Sequence, residues 1–140
     1  MHRNAFRRSL LVSALLVAIP AFAQQDDLNY TLGDPNGRFW GGLQHDAKLL
    51  LVMGIRSGVS LGLSSVDQER NSNLITNKFT NGEFVSQMDV FFGDSSNARL
   101  TISSAYVYVV QKMNGAKQSE LDAFVSGMRR RIRDAEATTK

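Results

Sequence analysis

Hydrophobic positions recur at intervals of three and four residues through most of the chain, which is the spacing of amphipathic helices. No pair of alternating segments joined by hairpin turn residues stands out. The pattern therefore predicts an all-α fold, a compact bundle of about four to five helices within a single domain over residues 37–140. Residues 24–36 are polar and end in a turn-like run, so we expect them to form a flexible lead-in.

The first two helices of this bundle differ greatly in length. Apolar bulk gathers over Arg38 to Leu43, but Gly41-Gly42 disfavours a long helix there. Asp46 is a suitable N-cap for the longest helix, which we expect to run from Ala47 to about Gln68.

Three glycines lie at four-residue spacing on this longest helix, at Gly54, Gly58 and Gly62. Side chains four apart share one helix face, so the three positions form a stripe without side chains. Each glycine costs up to about 1 kcal/mol of helix propensity relative to alanine. We predict that the stripe is a helix-packing surface approached by a neighbouring helix, with a ligand groove as the alternative.

A polar, asparagine-rich segment, Glu69 to Phe79, predicts the one long loop of the domain. Thr80 and Glu83 then have the spacing of a capping box. They predict a third helix that ends at Gly93, which we expect to be a left-handed C′ residue.

Two further helices follow in the C-terminal part of the chain. Residues 100–113 are rich enough in β-branched and aromatic side chains to suit a buried strand, but their apolar positions recur at helical spacing and Asn114-Gly115 is a helix stop. We favour a helix there. Ser119 begins the last helix, near whose C-terminal end Arg129-Arg130-Arg131 and Arg133 lie.

The N-terminal residues, Met1 to Ala23, have the pattern of a secretory signal peptide. Three arginines precede an apolar run, and Ala21-Phe22-Ala23 resembles a cleavage site. The run is short for a membrane span, which needs about 20 apolar residues. We expect a periplasmic or secreted protein that begins near Gln24 and has no stable membrane span after cleavage, the alternative being an uncleaved N-terminal anchor.

Removing this segment changes the charge balance of the chain. The sequence has 16 Lys and Arg and 13 Asp and Glu, and three of the arginines lie in residues 1–23, so 13 basic residues balance 13 acidic ones in the rest. The basic character of the precursor is therefore no sign of a nucleic-acid partner. The arginine cluster near the C-terminus is most simply a solvated face, and a partner of that cluster would be anionic.

Few residues outside the signal suit catalysis or metal binding. The chain has no cysteine, and His45 is the only histidine after residue 23. A thiolate nucleophile, a histidine-based zinc site and a Ser–His arrangement therefore lack their parts. The carboxylates are scattered and suit caps and helix surfaces. We predict no enzyme, no catalytic residue, no metal site and no cofactor.

Binding to another protein is the function that this composition favours. A long loop on a helical scaffold has no core-packing duty, and Trp40 and Tyr108 each combine a large apolar surface with a polar group. We predict a partner-binding surface formed by the loop and the nearby tryptophan, comprising Trp40, Asn71, Asn73, Asn77 and Lys78.

The order of these features resembles the Rap/Tai family of small periplasmic immunity proteins. The motifs concerned are Phe39-Trp40 with Leu43, Gly54-x-x-x-Gly58, Asn81-Gly82-Glu83-Phe84-Val85 and Phe91-Phe92-Gly93-Asp94-Ser95-Ser96-Asn97. They span about Arg38 to Met113. The resemblance implies an all-helical protein that inhibits a cell-wall-targeting effector and in some cases forms a homodimer. The helix-bridging cysteines of that family are absent here, and the last helix is additional.

Two function classes other than immunity are consistent with the same features. An envelope-stress or chaperone-like helical protein, similar in size and compartment to the Hde acid chaperones, would need apolar surface that becomes exposed. An enzyme would need a pocket of convergent polar groups, and it ranks third.

Overall fold

The computed structural model describes residues 28–64 and 78–138. The predicted signal peptide and most of the predicted long loop, including Asn71, Asn73 and Asn77, lie outside the described residues.

The described residues form five α-helices and one very short antiparallel strand pair, which confirms the predicted all-α fold. The elements are β1 (Tyr30–Thr31), β2 (Asp34–Pro35), α1 (Gly37–Gly42), α2 (His45–Ser64), α3 (Asn81–Gly93), a 3-10 turn (Ser95–Asn97), α4 (Ile102–Met113) and α5 (Gln118–Thr138). Helix α3 lies centrally, in contact with α1, α2 and α4, and α5 packs on α4.

Part of the predicted lead-in has regular structure, because residues 30–35 form the β1–β2 hairpin. Tyr30 pairs with Pro35 and Thr31 with Asp34. The turn has positive φ at Leu32 (54°) and Gly33 (85°), as a two-residue primed hairpin turn requires. The sequence pattern hid this pair because each strand has only two residues.

Asn36 connects this hairpin to the helical bundle. Its side chain donates to the Leu28 carbonyl and the Thr31 hydroxyl, both at 3.0 Å, and accepts from the backbone N–H of Arg38 at 2.9 Å. The residue is only 1% exposed. A buried amide is costly without partners, and here it is paired on both ends, so Asn36 caps α1 and holds the hairpin in place.

The next residue, Gly37, allows α1 to lie against α3. A Cβ atom there would be 2.4 Å from Cδ1 of Phe92 and 3.1 Å from Cα of Ala98. The Gly37 N–H also donates to the Leu100 carbonyl at 3.1 Å. Glycine is needed at this position because two other elements approach its backbone.

The predicted capping box at the start of α3 is confirmed. The Thr80 N–H donates to Oε2 of Glu83 at 2.6 Å, and the Glu83 N–H donates to Oγ1 of Thr80 at 3.2 Å. The Thr80 hydroxyl also donates to Oε2 of Glu83, at 2.9 Å, and the bonds that this carboxylate accepts from the backbone and the hydroxyl of Thr80 hold the pKa of Glu83 below its usual value. The other end differs from expectation, because Gly93 has no positive φ and Asp94 is the C-cap.

Residues 102–113 form helix α4, so the helix is confirmed and the strand alternative is wrong. Thr101 caps it, and Gly115, with φ of 85°, follows its end. Helix α2 starts two residues before the predicted Ala47, so Asp46 lies in its first turn instead of at the N-cap. The predicted end of α2 near Gln68 lies outside the described residues.

The core forms where α3 and α4 pack together. The Phe84 and Tyr106 rings stack with centroids 5.5 Å apart. Burial raises the pKa of the Tyr106 phenol, an effect that the Arg56 charge opposes. The buried apolar residues are Trp40, Val52, Phe84, Val85, Met88, Phe91, Leu100, Ile102, Ala105, Tyr106, Val109, Val110 and Leu121.

The close approach of Phe92 and Ala98 to Gly37 predicts that one added methyl group at this position lowers the stability of the fold. Gly37→Ala should lower the free energy of unfolding by about 1–3 kcal/mol through overpacking against Phe92. Gly41→Ala is the matched control in the same helix, since a Cβ there would meet no described atom within 4 Å. It should be neutral or stabilising by up to about 1 kcal/mol. Urea unfolding of both variants measures the difference, and equal stability would contradict the packing described here.

Candidate functional site

Trp40 lies in the core, so its predicted role in partner contact is wrong. The residue is 1% exposed. Its indole N–H donates to Oδ1 of Asp89 on α3 at 2.8 Å, and its ring lies 6.1 Å from that of Phe92. The polar group that suggested a contact residue is used inside the protein. Aromatic side chains of short helices are often needed for burial in small domains.

The same carboxylate oxygen of Asp89 also binds α2. Nζ of Lys48 lies 2.7 Å from Oδ1 of Asp89 and 5.2 Å from the centroid of the Trp40 ring. The Lys48 side chain is 14% exposed and the Asp89 side chain 44%, so solvent reaches this ion pair mainly from the carboxylate side. Oδ1 of Asp89 on α3 therefore binds both Trp40 of α1 and Lys48 in the first half of α2.

A second cation of α2 points toward α3 from the other half of the helix. Nη1 of Arg56 donates to Oδ1 of Asn81 at 2.6 Å, and its guanidinium lies 4.8 Å from the centroid of the Phe84 ring. Lys48 and Arg56 are eight residues apart, or about two helical turns, so they lie on the same side of α2. Together they turn that side toward α3.

The opposite side of α2 is apolar, uncharged and exposed. Leu50 is 64% exposed, Met53 48% and Leu61 73%. Between them lie Gly54, Ser57 and Gly58, which are also exposed. Spacings of three, four and seven residues place these positions along one face. We call it the α2 outer face, comprising Leu50, Met53, Gly54, Ser57, Gly58 and Leu61.

The prediction that Gly54, Gly58 and Gly62 pack against a neighbouring helix is wrong within the described residues. A Cβ atom at any of the three would meet no described heavy atom within 4 Å beyond its own stretch of helix. The residues that do pack on the core are on the other side of α2, among them Val52, Ile55 and Val59. The glycines therefore form part of an exposed surface.

A second exposed apolar group is on the hairpin, where Leu28, Tyr30 and Leu32 are 57%, 40% and 60% exposed. Tyr108 is half-buried with its ring centroid 4.6 Å from that of Phe91, so it packs more than it protrudes. Lys78 is exposed, and it is the only residue of the predicted binding surface that the structure describes as accessible.

Sequence reasoning missed the role of Asp89 and the orientation of α2. Two cations on one side of an otherwise apolar helix normally indicate its solvent-exposed side, whereas Lys48 and Arg56 here face Asp89, Asn81 and Phe84 of α3. The sequence does not show that these partners lie on α3, so it does not show which apolar positions of α2 face the core and which face outward.

Comparison of the chain with protein-family models, with curated proteins and with solved structures finds no match. Among the helices of the described residues, none is both long enough and apolar enough to cross a membrane.

The placement of Trp40 predicts its fluorescence directly, because it is the only tryptophan in the chain. A buried indole should emit at short wavelength and resist quenching by iodide until the protein unfolds in urea. Asp89→Leu should lower the urea concentration at which this change occurs, because it leaves the indole N–H and the Lys48 ammonium without their acceptor. A native spectrum like that of the unfolded chain, with free access to iodide, would restore Trp40 as a surface residue.

Proposed function

We propose that this chain is a small exported protein that binds another protein through the α2 outer face and has no enzymatic activity. The observation that carries the proposal is the exposure of Leu50, Met53 and Leu61 along one uncharged helix face. Clustered apolar side chains of this size are a feature of interaction sites.

The shape of the face favours a helix as the group that docks on it. Gly54 and Gly58 have no side chains, and a Cβ added at either would meet no described atom within 4 Å, so a ridge of side chains from a second helix could pack between Leu50, Met53 and Leu61. Between Leu49 and Ser64 the only charged residue is Arg56, which points toward α3. The partner surface should therefore also be apolar and uncharged.

The resemblance to periplasmic immunity proteins suggests the kind of partner, namely a cell-wall-targeting effector that the chain inhibits. An inhibitor must bind its target through a surface that is already formed, and α2 is held in place at both halves by Lys48 and Arg56. The balanced charge after the predicted signal also suits a partner recognised by apolar contact.

The test places a photo-crosslinking residue at Leu50 and, as a control of equal exposure, at Val90 on α3; both native side chains are 64% exposed. We expect one protein of the cell envelope to crosslink at position 50 and none at position 90. That protein, once identified and purified, should bind the native chain and lose its cell-wall-degrading activity when bound.

The matched variants are Gly58→Glu and Gly127→Glu, since both replace a helical glycine whose Cβ would meet no described atom within 4 Å. Both should retain the fold. Gly58→Glu should weaken partner binding at least about tenfold, because docking would bury an unpaired carboxylate, and Gly127→Glu should bind normally.

Three other results would contradict the proposal. Many unrelated proteins crosslinked at position 50 would favour the chaperone-like alternative, and a crosslink only between copies of the chain would make the face a homodimer contact. Equal binding by both glutamate variants would place the interface elsewhere, and replacing residues 71–78 by a Gly/Ser linker would then test the predicted loop.

A further inference from the structure

A cleft between α1, the segment after α3 and α5 brings four arginines together. It has a volume of about 340 Å³ and is lined by Arg38, Arg99, Arg129 and Arg133, with Leu100 and Ile132 as apolar lining. No residue of α2 lines it, so this cleft is distinct from the α2 outer face. Its size is within the range of small-ligand sites.

Most of the positive charge in the cleft has no carboxylate partner. Glu136 is the only acidic residue that lines it, and it forms an ion pair with Arg99. Within residues 28–64 and 78–138, neither Arg38, Arg129 nor Arg133 has a carboxylate within 4 Å. Three guanidinium groups therefore line one concave surface without a described carboxylate in direct ion-pair contact.

Arg129 is held in place by buried structure. Its Nη2 donates to Oδ1 of Asn97 at 2.7 Å and to Oγ of Ser96 at 2.5 Å. Asn97 is 6% exposed, and its Nδ2 donates to the Phe91 carbonyl at 2.8 Å. Nε of Arg129 is buried and has no hydrogen-bond partner among the described residues. The two bonds from Nη2 thus fix this guanidinium at the edge of the cleft.

A second carboxylate close to Arg129, that of Asp94, is bound to Ser96. Asp94 accepts from the hydroxyl and the backbone N–H of Ser96, at 2.7 and 2.9 Å. These two bonds, together with the charge of Arg129, hold the pKa of Asp94 below its usual range. Asp94 lines the neighbouring cavity instead of this one.

We propose that this cleft binds a small ligand through an oxyanion group, either a carboxylate or a phosphate, with Arg38, Arg129 and Arg133 as the binding residues. Guanidinium groups match the geometry of both oxyanions and donate two parallel hydrogen bonds. Leu100 and Ile132 provide contact for an apolar part of the same ligand. Arg38 from α1 and Arg133 from α5 reach the group from different elements.

The test uses the purified protein and two organic probes that share an apolar ring, phenyl phosphate and benzoate, at constant ionic strength maintained with sodium chloride. Calorimetric titration should show saturable binding of at least one probe with a stoichiometry of one. The probe that binds more tightly identifies the oxyanion. Absence of saturable binding by both would overturn the proposal.

Variants that each remove one positive charge distinguish specific binding in the cleft from non-specific electrostatic attraction of the anionic probes. Arg133→Gln should weaken binding about tenfold, as expected for loss of a charged hydrogen bond, and Arg38→Gln should act in the same direction. Arg131→Gln removes the same charge from α5 at an exposed residue that does not line the cleft, and it should change the affinity less than twofold. Equal weakening by Arg131→Gln and Arg133→Gln would show non-specific attraction and contradict the site.

A fold control makes the variants interpretable. Arg38 and Arg133 are exposed and contribute no ion pair within the described residues, so both glutamine variants should melt at the native temperature without ligand. The α2 outer face does not contribute to the cleft, so Gly58→Glu should bind the probes normally even if it loses its protein partner.

Discussion

The carboxylate of Asp89 joins α1, α2 and α3, and it acts together with the packing of Val52, Ile55 and Val59 on the core to orient α2. One of its oxygens accepts from the Trp40 indole and binds the Lys48 ammonium, so three helices meet at a single atom. An exposed ion pair contributes little on its own, but this one is partly shielded and is combined with a hydrogen bond from a buried ring. Arg56 repeats the constraint two turns later by packing on Phe84. Both cations are turned toward α3, as are Val52, Ile55 and Val59, and the side that carries Leu50 and Leu61 faces outward.

The same organisation explains why two distinct surfaces coexist on a small domain. Helix α2 contacts α3 but lines no part of the arginine cleft, which is built by α1, α5 and the turn after α3. Two residues position α1 between the hairpin and α3. Asn36 caps α1 and holds the hairpin, and Gly37 lets α1 approach Phe92 of α3. A defect at this junction should therefore disturb the cleft through Arg38 before it disturbs the outer face of α2.

Local sequence signals predicted the helices well where the deciding interactions are close in the chain. The Thr80–Glu83 capping box and the helical spacing of Ile102, Tyr106 and Val109 each depend on residues within a few turns. The hairpin was missed because its two-residue strands are too short to show alternation, and its order comes from Asn36. The candidate surfaces were less predictable. The burial of Trp40 cannot be predicted locally, because its hydrogen-bond partner Asp89 is 49 residues away. The exposure of the glycine stripe cannot be predicted either, because periodicity does not show which side of a helix faces the core.

The orientation of α2 can be measured directly by cysteine scanning, since the chain has no native cysteine to interfere. Single cysteines would be placed at the outer positions 50, 54, 57 and 61 and at the inner positions 52, 55 and 59, and each thiol would be labelled with a maleimide in the native state. The orientation described here predicts fast labelling at all four outer positions and slow labelling at the three inner ones. Uniform rates, or faster labelling at positions 52, 55 and 59, would contradict it and remove the basis for the α2 outer face as a binding surface.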